Sequence, residues 1–206
     1  MGHGADLDKI KREYGISGPI IDFSSNINPT MPDGLEEIIL ENIDYIRAYP
    51  DIEYMDLRRS IGSHVAGMGP ENVCVGNGAT ELIFLFMKLV RGSLAIIGPT
   101  FSEYARAAQI CGLDYRSINM VVNDGAFELP DLDVLDRIEN IEAIVVCNPN
   151  NPDGGLKSLD RLVDYCQSRS VKLLVDETFI EFCQDYKAYT ALNYNCKEVF
   201  VLRAMT

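Results

Sequence analysis

Asp176 closes the apolar run Lys172-Leu173-Leu174-Val175. A carboxylate at the end of a buried strand needs a cation or hydrogen-bond donors. A protonated ring nitrogen would serve, and would keep that ring an electron sink. A magnesium ion or the start of a helix would serve as well. A second group of residues is Gly76-Asn77-Gly78-Ala79-Thr80-Glu81, which follows an apolar run and opens a helical pattern. Its glycines permit a tight turn, and the free amides at Ala79 and Thr80 would hold an anion. It has neither the third glycine of a dinucleotide loop nor the Gly-Lys-Ser/Thr of a P-loop, and a plain structural turn would share its composition. Phe101 follows a further strand pattern, where its ring could stack on a flat heterocycle or fill the core. Last comes Asn148-Pro149-Asn150-Asn151-Pro152-Asp153-Gly154-Gly155, a rigid polar turn directly after the most apolar strand. Open α/β sheets bind ligands at that end of a strand, and the Asn151 amide could donate to a phenolic oxygen there.

These residues need a scaffold, and the pattern supplies one. Short apolar runs predict buried parallel strands at Val73–Val75, Leu94–Ile97, Ala143–Cys147, Lys172–Val175 and Val199–Leu202, with a weaker one at Asp114–Ile118. Helical patterns lie between them at Thr80–Val90, Ser102–Cys111, Leu132–Ile138 and Ser158–Arg169, the last with Ser158 as N-cap. Such alternation predicts an α/β domain, a mostly parallel sheet with helices on both faces. Residues before about Gly69 read differently: a polar helix at Asp6–Tyr14, a short strand at Ile20–Phe23, and helices at Leu35–Asn42 and Tyr54–Val65. The expected division is 1–68, an N-terminal arm with part of a smaller domain, and 69–206, a larger domain.

Composition narrows the classes of function. Hydrophobic residues make up 47% and charged residues 24% of 206, ordinary for a globular chain. A net charge of −13 argues against nucleic acid or an anionic membrane as partner. No apolar run is long enough to span a bilayer, and no signal-peptide pattern opens the chain, so a cytoplasmic location is expected. The six cysteines form no C-x-x-C pair and no zinc spacing with His3 or His64, so reduced, buried thiols, among them Cys74 and Cys147 in apolar runs, and no metal are expected.

The order of the motifs adds to each one alone. The segments Asp22-Phe23-Ser24-Ser25-Asn26-Ile27-Asn28-Pro29, Tyr49-Pro50-Asp51, Gly76–Glu81, Pro99–Tyr104, Asn148–Pro152 and Asp176–Ile180 resemble, in sequence order, the fold-type I pyridoxal-phosphate (PLP) enzymes of the aminotransferase class I/II family. Within it the chain looks most like the branch of threonine-phosphate decarboxylases and histidinol-phosphate aminotransferases. The resemblance implies that Gly78, Ala79 and Thr80 hold the cofactor phosphate, that Phe101 stacks on its ring, that Asn151 meets its phenolic oxygen and that Asp176 meets its ring nitrogen. It implies that Thr206 also touches the phosphate and that Tyr49 reaches the phosphate of a neighbouring subunit, hence a homodimer. His3 and Asn26 would contact a small phosphorylated substrate. Ile27 and Phe179, where many relatives carry Glu and Tyr, lean toward the decarboxylase; Asp153, in place of a usual Thr, is expected to loosen its turn. In the family, the lysine that binds the cofactor covalently follows the turn at which these residues end. Alone, they are expected to bind the cofactor weakly and without turnover. A catalytically silent protein that acts by binding or dimerising is the reading from another class.

Overall fold

The computed structural model describes residues 6–24, 30–65 and 67–204. The chain divides into two compact units, Met1–Asp51 and Ile52–Met205.

In the first unit, helix α1 (Leu7–Tyr14) is capped by Asp6, whose side chain accepts the Lys9 N–H at 3.2 Å, and ends at Gly15 in the left-handed region. Helix α2 (Leu35–Glu41) follows, then a short 3₁₀ turn at Ile43–Arg47. None of these elements contains a buried residue. The predicted strand at Ile20–Phe23 does not form; Ile21 and Phe23 are exposed and pair with no neighbour among the described residues.

The second unit carries the sheet. After helix α3 (Met55–Val65) and helix α4 (Gly78–Met87) come strand β1 (Ser93–Gly98), helix α5 (Glu103–Ile110) and strand β2 (Tyr115–Asn119). A small hairpin, β3 (Val121–Asn123) with β4 (Ala126–Glu128), leads to β5 (Ile141–Cys147), helix α6 (Asp160–Arg169), β6 (Lys172–Asp176) and β7 (Val199–Leu202). The main sheet has the order β2-β1-β5-β6-β7, every pair parallel. Alternate residues face opposite ways. Leu94, Ile96, Ala143, Val145 and Leu174 pack with α4 and α5 through Ile83, Phe86, Met87, Tyr104, Ala107 and Ala108. Ala95, Ile97, Ile144, Val146, Leu173 and Val175 pack with α6 through Leu162, Val163 and Cys166. Both faces are therefore covered, which is why these strands read as continuous apolar runs.

Three local expectations are corrected. Val73–Val75 is extended at Val73 but joins no ladder among the described residues, and Cys74 is exposed. An apolar run specifies extension, not the partner that completes a strand. Helix α6 starts one residue later than expected, with Leu159 as its N-cap; the Ser158 hydroxyl still accepts the Asp160 N–H at 3.4 Å. The β3–β4 hairpin was not anticipated, although Asp124-Gly125, both at positive φ, is a hairpin-turn signal.

The opposite end of the sheet is held by Glu142. Its Oε2 accepts the N–H groups of Arg91 and Gly92, both at 2.6 Å, and its Oε1 accepts Lys172 Nζ at 2.7 Å. One carboxylate thus joins the starts of β1, β5 and β6. The Lys172 hydrogen bond, then the backbone donors, pull its pKa down to about 2. Glu142→Gln is expected to cost about 1 kcal/mol at neutral pH, a small value because the pair is partly solvated. A depressed folded value gives stability that is present above the unfolded carboxylate range and is lost as pH falls toward about 2. Urea unfolding of both proteins should therefore show the gap closing in acid; a gap unchanged by pH would contradict this role.

Candidate active site

Chain direction reverses between β1 and β5. From β1 the chain moves outward to β2, whereas β5 leads the other way to β6 and β7. A crevice at the carboxyl ends beside such a reversal is the usual ligand site of an open α/β sheet. The segments Pro99–Phe101 and Asn148–Asn151 leave the sheet on either side of it. The register brings the ends together, with Cys147 opposite Asp176 and Asp176 opposite Leu202.

Asp176 is 3% exposed. Its Oδ2 accepts the Tyr104 hydroxyl, from α5, at 2.5 Å. Its Oδ1 accepts the Thr178 N–H at 2.9 Å and the Thr178 hydroxyl at 2.6 Å. Among the described residues no Lys, Arg or His forms an ion pair with it, and no cluster of three metal-ligating side chains surrounds it. Phe101 lies edge-on to Tyr104, ring centroids 5.7 Å apart at 81°. Burial, then the charge of Asp176, raises the Tyr104 phenol well above the usual tyrosine value, so it stays a donor. Burial likewise pushes the neighbouring Cys147 thiol up to about 11, leaving it protonated.

The turn after β5 is built from its own amides. Asn148 Nδ2 donates to the Lys157 carbonyl at 3.0 Å, and its Oδ1 accepts the Lys157 N–H at 2.8 Å. Asn150 Nδ2 reaches across to the Pro99 carbonyl at 3.0 Å, tying this turn to the one after β1. Asp153 accepts the Asn150 amide and pairs with Lys157 Nζ at 3.4 Å. The expected loosening by Asp153 is thus reversed, since its carboxylate adds two anchors where a hydroxyl would add fewer. Asn151 is half-buried. The peptide bonds preceding Pro99, Pro149 and Pro152 are cis. Thr100 Oγ1 and Asn150 Oδ1 are buried with no hydrogen-bond partner among the described residues.

At the start of α4, Gly78 has φ +81°, a conformation that favours glycine. Its N–H bonds back to the Gly76 carbonyl at 2.9 Å, and the Asn77 N–H goes to the Glu81 carboxylate at 2.5 Å. The Ala79 and Thr80 amides are the next donors of that first turn, the two expected to face an anion. Ala79 and Phe101 pack against the same core face. His3, Asn26 and Thr206 lie outside the described residues. Tyr49, fully exposed, belongs to the first unit.

Two elements escaped the sequence reading. Tyr104 stands 72 residues from its partner Asp176, and nothing local in the sequence marks that pairing. The other is the ion pair of Glu177 and Arg203, 2.9 Å apart, with Glu177 wholly buried. A charged residue at the end of each adjacent strand was the available signal.

The donor set fits pyridoxal phosphate. A buried carboxylate held, among the described residues, by neutral donors can take a protonated ring nitrogen, an aromatic ring lies edge-on to its donor Tyr104, and a glycine-bounded helix start offers amides to a phosphate. Comparison with known proteins agrees. The profile of the family Aminotransferase class I and II matches residues 18–205, and the chain belongs to this pyridoxal-phosphate-dependent family. The chain is 31% identical to the threonine-phosphate decarboxylase of Salmonella typhimurium, over 99% of its own length and 57% of that protein's. It is 30% identical to the histidinol-phosphate aminotransferase of Bacillus cytotoxicus, over 98% and 56% respectively. The crystal structure of the histidinol-phosphate aminotransferase from Clostridium acetobutylicum superposes with a TM-score of 0.75 at 29% identity, covering 91% of this chain and 56% of that one. The chain thus spans a little over half the length of these relatives.

Proposed function

We propose that residues 69–206 form the cofactor-holding part of a pyridoxal-phosphate enzyme acting on a small phosphorylated amino acid, most specifically an L-threonine-O-3-phosphate decarboxylase. The observation that carries the cofactor reading is Asp176, buried at a strand end and held, among the described residues, only by neutral donors. In this reading Asp176 holds a proton at the ring nitrogen and Phe101 covers one ring face. The amides of Ala79 and Thr80, beside Gly78, hold the phosphate, and Asn151 donates to the phenolic oxygen. When bound, the cofactor supplies a ring that accepts electron density from the substrate's Cα. His3 and Asn26 would meet the substrate, Thr206 the cofactor phosphate, and Tyr49 the phosphate site of a second copy in a cytoplasmic homodimer.

Phe179 supports the decarboxylase, since no hydroxyl stands at the position that resemblance assigns to Tyr in the aminotransferases. The second reading, a histidinol-phosphate aminotransferase, draws on the Bacillus and Clostridium relatives. Product analysis separates them. With O-phospho-L-threonine, the decarboxylase breaks the bond from Cα to the carboxylate, releases CO2 and returns a proton to Cα, leaving aminopropanol phosphate. The aminotransferase instead moves the amino group of histidinol phosphate to a keto acid. Incubation of the protein as its native source makes it, with the cofactor, a keto acid and each substrate, should give CO2 from the first alone. Amino-group transfer from histidinol phosphate without CO2 would reverse the assignment, and neither product would favour a silent binding protein.

A further inference from the structure

The three hydrogen bonds on Asp176 come from two directions. Tyr104 reaches it from α5, on the sheet face shared with α4, and Thr178 from the chain just beyond β6. An ionised carboxylate offers about four lone-pair sites. Three are filled here, each by a neutral donor. Neutral donors fix a carboxylate without cancelling its charge, whereas an Arg or Lys would supply the counter-charge and remove the reason to bind a cationic ligand. Among the described residues the carboxylate is therefore held in one orientation, with its charge uncompensated and one lone-pair direction left over.

We propose that Tyr104 and Thr178 are positioning residues, which clamp the Asp176 carboxylate from two elements so that its remaining lone pair points at a protonated ring nitrogen. This rests on the cofactor reading above. The phenol of Tyr104 cannot compete for that role by ionising, because burial and the nearby Asp176 charge keep it protonated. The Thr178 hydroxyl adds a second bond to the Oδ1 that the Thr178 N–H already holds, so loss of the Tyr104 phenol frees Oδ2, and loss of the Thr178 hydroxyl leaves Oδ1 held by the N–H alone.

The test compares two ligands on purified protein freed of cofactor: pyridoxal 5′-phosphate, and its analogue with C–H in place of the ring nitrogen. The wild type should prefer the former. Tyr104→Phe and Thr178→Val should each shrink that preference by roughly three- to tenfold, with affinity for the carbon analogue nearly unchanged. The 15N resonance of the bound ring nitrogen should move toward its unprotonated position in both variants. An equal loss for both ligands, or a preference unchanged in both variants, overturns the clamp while the cofactor reading stands. A wild type without preference overturns both. Should Tyr104→Phe fail to fold, as shown by its urea transition, Thr178→Val at its half-buried position decides.

Discussion

Arg203→Met should lower stability by about 3–5 kcal/mol, the range for removing one partner of a buried ion pair. Its Nε and Nη2 lie 3.0 and 2.9 Å from Glu177 Oε2, its Nη2 also donates to Thr190 Oγ1 at 3.0 Å, and its Nη1 to Glu181 at 3.3 Å. Glu177 in turn accepts Thr190 Oγ1 at 2.8 Å and the Ala191 N–H at 2.5 Å. Without Arg203, a wholly buried carboxylate keeps its neutral donors and loses its counter-charge. The sign of the pH dependence follows. Burial already raises the Glu177 carboxyl above its usual value, outweighing Ala191, Thr190 and Arg203, which act to lower it. A raised folded value gives stability that is full below the unfolded value and is lost as pH rises through the folded one. Deleting Arg203 removes one lowering contribution and raises the value further. The variant should therefore approach wild type in mildly acid buffer and fall furthest behind at neutral pH, in urea midpoints measured across that range. A gap that ignores pH would mean that lost packing, not the uncompensated charge, sets the cost. Glu177→Leu combined with Arg203→Met should recover much of the loss, because apolar pairs often replace buried ion pairs at little cost.

This pair also shows where sequence stops informing. Strands β1, β5, β6 and β7 were legible because burial on both faces writes a continuous apolar run. The turn after Cys147 and the carboxylate of Asp176 were legible for a related reason: such polarity at the end of an apolar strand demands a partner or a ligand. The partners themselves were not. Tyr104 meets Asp176 only because α5 packs on the sheet face that it shares with α4, and Arg203 meets Glu177 only because β7 pairs beside β6. Asp153 illustrates the same limit at short range. Its residue type departs from the usual Thr, but whether that loosens or anchors the turn depended on Lys157, whose side chain the fold buries beside it. Val73–Val75 failed in the opposite sense, having the composition of a strand without, among the described residues, a neighbouring strand to complete it.

Asp176→Asn should reduce affinity for pyridoxal 5′-phosphate by about 10- to 100-fold, the value of a charge-assisted hydrogen bond. It should also abolish the preference over the analogue that lacks the ring nitrogen. Asn keeps the size of Asp and one acceptor oxygen, so the variant separates the roles that a carboxylate at this position could play. The first is helix capping. The following 3₁₀ turn, Ile180–Phe182, has Phe179 at its N-cap, and Asp176 contributes only through the Oδ1 that holds Thr178. An Asn oxygen can accept the same N–H, so a capping residue would tolerate the change with affinity intact. The second is charge. An Asn amide would turn two donor hydrogens toward the Tyr104 hydroxyl, and the charge that attracts a protonated nitrogen would be gone. The structural part of that change should cost about 1–3 kcal/mol of stability for the buried donor left unpaired. Isothermal titration with both ligands, on protein whose folding is verified by its urea transition, measures the rest. A wild-type ratio of the two affinities in Asp176→Asn would remove the ring nitrogen from the account of this site. A collapsed ratio in a folded variant would tie Asp176 to it through charge, the one property that Asn does not share.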